Sequence, residues 1–162
     1  MLIENLISRR LLRLTSKLTT REAGMIISSK GRYAMKLMLD LAVYYQADPV
    51  KIKDIARRQE LSDKYLEQIV ASLGKAGLVK SLRGAKGGYS LNKAPSEYTV
   101  GSILTAVEGP ISITDDNIDT SYEGATAILW NRLDDAISGV LNEVTLEDLL
   151  EWQYSQAGDF SI

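Results

Sequence analysis

Over residues 29–47 the apolar positions Ala34, Leu37, Met38, Leu41, Ala42 and Tyr45 fall three and four apart, which lines them along one face of a helix. Asp48-Pro49 breaks that pattern. Val50-Lys51-Ile52 is β-prone and predicts a short strand, and 53–59 predicts a short helix with Ile55 and Ala56 inward. After the turn at Glu60-Leu61, Ser62 has the hydroxyl of an N-cap. Leu61 and Leu66 are spaced as a hydrophobic staple around it. In the helix that follows, Leu66, Ile69, Val70 and Leu73 face a core, while Asp63, Lys64, Glu67, Gln68 and Ser72 face outward. Gly77 suits its C-terminal cap. Two short helices joined by a tight turn read as a helix-turn-helix.

The period then changes from helical to alternating. Leu78 to Leu82 alternates apolar and polar, Tyr89-Ser90-Leu91 returns, and Arg83-Gly84-Ala85-Lys86-Gly87-Gly88 joins them. The glycines permit positive φ and close approach of the backbone to another molecule. Neither the P-loop spacing nor GxGxxG is met, so a hairpin tip fits better than a nucleotide loop. A linker holding Pro95 leads to a helix capped by Thr99, with Val100, Ile103, Leu104 and Val107 on one face, ending at Glu108-Gly109-Pro110. Residues 111–124 are acidic and aperiodic, and read as a loop. The longest regular pattern covers 125–144. Leu129, Leu133, Ala136 and Val140, with Ile137, Leu141 and Val144 one position along, form a stripe wider than one small domain needs. Its surplus face is expected to meet its own copy in a two-fold dimer. Thr145-x-x-Asp148 starts a last helix as a capping box.

Charge divides the chain in two. Residues 1–93 hold 18 of the 19 Lys+Arg and 8 of the 21 Asp+Glu, a balance of +10, while 94–162 hold 1 and 13, a balance of −12. A basic front half suits a polyanion, and the acidic rear half would be repelled by one. There is no cysteine and no histidine. Disulfides, thiolate metal sites, cysteine-ligated iron–sulfur clusters and the usual general base at neutral pH are therefore excluded, and an enzyme is not expected. No apolar run approaches eighteen residues, so a membrane span is not expected and a cytoplasmic protein is. Residues 1–24 are basic and leucine-rich. They read as an N-terminal extension outside the domain, non-native or disordered, with Met25 as a natural start.

These residues carry a family likeness. SKGRYAMKLMLDLA, KDIARRQELSDKYLEQIVASLGKAGLVKSLRGAKGGYSL and TVGSILTAVEGPIS closely resemble the bacterial winged-helix regulators of the Rrf-two family, which includes the IscR, NsrR and CymR types. The likeness runs from about Met25 to about Leu150, and YLEQ with GLVKSLRGAKGGY is specific for it. It implies a mainly α fold with a small β-wing. Expected regions are the extension at 1–24, a winged helix-turn-helix at 25–95 and a helical dimerisation and regulatory region at 96–162. The helix from Ser62 would enter the major groove, Arg83 and the wing would reach a minor groove or its phosphates, and the 125–144 helix would dimerise. Cluster-binding members place three cysteines in the loop before that helix. This chain has none there, so no cofactor is expected. The pattern is most like the CymR-type members without those cysteines, repressors of cysteine and sulfur metabolism that act in complex with cysteine synthase. One departure is Gly74, where family members commonly carry a basic residue.

Double-stranded DNA is thus the expected partner, bound by a homodimer. Candidate phosphate contacts are Lys30, Arg32, Lys53, Lys64, Lys80 and Lys86. Gln68 can bind adenine bidentately and Glu67 can accept from cytosine N4. Ser62 and Tyr65 would add phosphate or base-edge contacts, and Arg83 would exploit the negative potential of a narrow minor groove. A competing class is a protein-interaction module whose acidic half binds a metabolic enzyme such as cysteine synthase. Steep salt dependence of DNA binding separates the two.

Overall fold

The computed structural model describes residues 27–111 and 124–158. The extension expected at 1–24 and nearly all of the acidic loop lie outside the described residues. Those described form six α-helices, a short 3-10 turn and one two-stranded antiparallel sheet.

Helix α1, Ser29–Val43, is capped by Ser28, whose hydroxyl accepts from the amides of Lys30 and Gly31 at 3.1 and 3.3 Å. It stops at Val43 rather than at 47, because Gln46 turns into the left-handed region at φ 67° just ahead of Asp48-Pro49. Val50 does not begin a strand. It makes a single antiparallel bridge to Tyr89, its amide donating to the Tyr89 carbonyl at 2.9 Å and its carbonyl accepting from the Tyr89 amide at 2.8 Å. Ile52 is already the first residue of α2, Ile52–Gln59, where it is buried with Ile55 and Ala56.

Helix α3 spans Asp63–Lys75, and its four expected core residues, Leu66, Ile69, Val70 and Leu73, are all buried. Its end is a Schellman turn. The Leu78 amide donates to the Leu73 carbonyl and the Gly77 amide to that of Gly74, with Gly77 at φ 72°. The chain is thereby aimed straight into β1, Val79–Leu82, which pairs with β2, Gly88–Leu91, in the register Val79↔Leu91 to Leu82↔Gly88. The expected alternation holds only at the base. Val79 and Leu91 are buried opposite each other, whereas Leu82, near the tip, is 58% exposed because the ribbon there has left the body.

Three hydrogen bonds to one hydroxyl tie the base of the ribbon to the rear half. Tyr98 is fully buried, and its hydroxyl accepts from the amides of Asn92 and Lys93 at 2.8 and 2.7 Å while donating to the Leu78 carbonyl at 2.8 Å. Burial pushes its phenol pKa up. Helix α4, Val100–Glu108, starts under a Thr99 cap and is tied to the next helical pair by the Val100 amide donating to the Val144 carbonyl at 2.8 Å. Helix α5, Ala125–Glu143, crosses α4 so closely that a Cβ on Gly101 would lie 2.7 Å from the Leu141 carbonyl oxygen. Only glycine fits that crossing. Helix α6, Leu146–Gly158, opens on the expected capping box: the Thr145 amide donates to the Asp148 carboxylate at 2.8 Å, and the Asp148 amide donates back to the Thr145 hydroxyl at 3.2 Å.

The core does not stop at residue 95. Tyr98, Ile103, Val107 and Leu146 belong to the same buried cluster as Leu37, Met38, Ile55, Leu66 and Leu73. Helix α5 contributes no buried residue to it.

Candidate nucleic-acid interface

The helix-turn-helix is made by α2, a short turn and α3. Glu60 adopts the left-handed conformation at φ 53° and the Leu61 amide returns to the Ala56 carbonyl at 2.9 Å, which closes α2. Ser62 then starts α3, its hydroxyl accepting from the Tyr65 amide at 3.1 Å. That bond uses one lone pair of the Ser62 oxygen and leaves its O–H free to donate. With the inner face of α3 buried, the opposite face presents Lys64, Glu67 and Gln68 to solvent. Tyr65 is different: half-buried, it stacks edge-to-face on Tyr33 of α1 at 5.7 Å between ring centroids. Its ring is a brace between α1 and α3, with the hydroxyl as its remaining polar handle.

At the wing, Arg83 and Lys86 are exposed on either side of Gly84, which sits at φ 109°. The other two tip glycines serve the chain itself. A Cβ at Gly87 would come 2.5 Å from the Leu82 carbonyl oxygen, and one at Gly88 would come 2.6 Å from that of Val50. Their role is therefore close packing of the hairpin on its own backbone, and the approach to another molecule read from the sequence is not what these two require. The tip they tighten carries two cations and is joined to α3 through β1 and the Schellman turn.

The candidates on α1 behave unlike those on α3 and the wing. The Lys30 ammonium donates to the Val107 carbonyl at 3.1 Å, at the C-terminal end of α4, where a cation also meets the negative end of the helix dipole. Arg32 is exposed and donates to the Ser29 hydroxyl at 3.1 Å. A second set of bonds joins the same two helix ends. Glu108, from the end of α4, accepts from the amides of Ser28 and Gly31 and from the Ser28 hydroxyl at the start of α1. The two helix ends thus clamp each other, and a Cβ on Gly31 would collide with the Glu108 carboxylate. Lys53 and Lys80 are exposed.

A helix-turn-helix followed at once by a basic-tipped hairpin defines a winged-helix DNA-binding protein. Residues 27–152 match the Rrf2 family, described as iron-dependent transcriptional regulator, and the chain belongs to that family. It is 46% identical over 128 residues to the HTH-type transcriptional regulator CymR of Bacillus subtilis, covering 79% of this chain and 91% of that one. Against the HTH-type transcriptional regulator IscR of Serratia proteamaculans it is 44% identical over 133 residues, covering 80% and 81%. Among solved structures, that of CymR, the global cysteine regulator of B. subtilis, matches with a TM-score of 0.74 at 45% identity, over 78% of this chain and 97% of that one. The class is that of a transcriptional regulator rather than an enzyme.

The family description implies iron. The donor set here does not fit an iron–sulfur cluster, because the whole sequence lacks the thiolates and imidazoles that hold one. Among the described residues no group of three carboxylates is gathered to hold a metal ion either.

Proposed function

We propose that the chain is a homodimeric repressor that reads palindromic operators through α3 and the wing and controls genes of cysteine or sulfur metabolism. The observation that carries the DNA-reading part is the joint exposure of Lys64, Glu67 and Gln68 on α3 and of Arg83 and Lys86 on the adjoining wing. Phosphate contacts from Lys64, Lys80, Lys86 and Arg32 supply affinity and position, Gln68 and Glu67 read base edges, and Arg83 enters the minor groove. Ser62 and Tyr65 add hydroxyl donors at the start of α3. Lys30 joins the phosphate set only by giving up its Val107 bond. The cysteine link is supported by 46% identity to CymR. On the same likeness, cysteine synthase is the partner through which a metabolite signal would arrive, and the cytoplasm is where all three would meet. Among the described residues no helix is long and apolar enough to cross a membrane. A module that only binds an enzyme has no observation of its own in its favour.

A gel-shift series against genomic operator fragments tests this reading. Affinity should fall steeply with salt, and Arg83→Ala should weaken binding at least tenfold, about 1.4 kcal/mol. Unchanged affinity in that variant would remove the wing from the interface.

A further inference from the structure

A cleft of about 390 Å³ lies apart from α3 and the wing, walled by α1, α2 and α6. On α1, Lys36, Leu39, Asp40 and Val43 repeat at three and four residues and so share one face, with Tyr44 just past the helix end; Arg58 and Gln59 come from α2 and Gln153 from α6. Its floor is an ion pair. The Asp40 side chain is 4% exposed and takes two hydrogen bonds from Arg58, at 2.6 and 3.1 Å, while the Arg58 side chain remains 34% exposed and lies over the Tyr44 ring at 5.0 Å.

A guanidinium has five N–H donors, and two are spent on Asp40. Gln59 makes a longer contact to the same carboxylate at 3.4 Å, so Asp40 is satisfied and has little left to offer a ligand. Arg58 does have donors left. Among the described residues Lys36 has no carboxylate partner at all. The ionised side chains lining the cleft are Lys36, Arg58 and Asp40, two cations against one anion, so the cleft favours a single negative charge. A carboxylate matches the planar fork of an arginine, and the Leu39, Val43 and Tyr44 wall offers apolar surface for the rest of a molecule. The volume lies in the range of small-molecule sites.

From this geometry we infer that the cleft binds a small organic carboxylate with a planar or apolar body. Its charge lies between Arg58 and Lys36, and its body against Tyr44 and Val43. The occupant touches both α2, the first helix of the DNA-reading pair, and α6, at the end of the chain. The site is independent of the operator-reading surface, so it stands or falls separately from the proposed function.

Benzoate is a suitable probe and benzamide its neutral counterpart. With the full chain in solution, NMR at the Arg58 Nε–H and the Gln153 amide should show saturable shifts with benzoate, and binding of benzamide at least about tenfold weaker. Arg58→Ala would strip a buried carboxylate of its partner and so confound folding with binding. The exposed Lys36→Gln avoids this: it should lower benzoate affinity about tenfold with the thermal midpoint unchanged. Shifts that never saturate, equal binding of the two probes, or a Lys36→Gln variant that binds benzoate normally would each overturn the site. If that variant instead flattens the salt dependence of DNA binding and leaves benzoate affinity intact, Lys36 is a phosphate contact and the proposal is wrong.

Discussion

Helices α3 and α5 carry the same kind of apolar pattern and end in opposite surroundings. On α3 the stripe Leu66, Ile69, Val70 and Leu73 is buried throughout, at 3% exposure or less. On α5 no residue is buried, and Ile128, Leu129, Leu133 and Val140 are 62, 49, 39 and 59% exposed. Helical periodicity states which face is apolar; it does not state what covers that face. For α3 the cover is α1, α2, α4 and β1 of its own chain. For α5 only Ile137, Leu141 and their neighbours are half-covered, on the side that crosses α4. Exposed apolar side chains of this kind mark interfaces, and a second copy of α5, related by a two-fold axis, would cover them.

The sharpest way to break this comparison is to charge the exposed stripe. Leu129→Glu with Leu133→Glu should raise the dimer dissociation constant at least about a thousandfold, since each protomer loses two leucines from the interface at about 2 kcal/mol each. Sedimentation velocity on wild type and variant reads this directly. A wild type that sediments as a monomer would leave α5 uncovered and end the contrast. So would a variant that stays dimeric.

The matching change on α3 should behave differently. Leu66→Ala empties a fully buried position and should destabilise the fold by about 3 kcal/mol. This loss appears in chemical denaturation whatever the protein concentration, whereas a loss at α5 depends on it. A third change asks about the outer face of α3. Gln68→Ala should cost about 2 kcal/mol at one symmetric base position and little elsewhere. A uniform loss over all sequences in a binding-site selection would turn Gln68 into a backbone contact.

Where local chemistry decides the structure, it was legible from residues alone. The Ser62 and Thr99 caps, the Gly77 turn and the Thr145–Asp148 box all follow from contacts within about five residues. The tip residues Arg83 and Lys86 are exposed as expected because a hairpin end has nowhere to bury them. What stayed hidden depends on partners distant in sequence. Glu108 reaches back 77 residues to Gly31 at the start of α1, and Asp40 meets Arg58 across 18. Lys30 reads as a free cation in a basic cluster, yet Val107 takes its ammonium. Gly101 looks like an ordinary weak point of a helix until α5 is laid across it. For Leu82 the alternating pattern pointed inward, but the ribbon outruns the body that would have covered it.

The smallest expected effect sharpens the contrast between local and distant support at the junction of α5 and α6. Asp148 is half-buried, and its carboxyl pKa is held below the ordinary aspartate value by the Thr145 hydroxyl first and the Thr145 amide second. A group whose folded pKa is depressed contributes stability above its unfolded value, about 4, and loses it as pH falls through the lower folded value. The stability difference between wild type and Asp148→Asn should therefore be constant from neutral pH down to about pH 5 and shrink in more acid solution. By NMR the Asp148 carboxyl should titrate below the free aspartate range, and Thr145→Val should bring its midpoint back up, since only the backbone amide bond would remain. The reverse order of midpoints, or a difference that grows on acidification, would mean that α6 is held at its start by tertiary contacts rather than by its own cap.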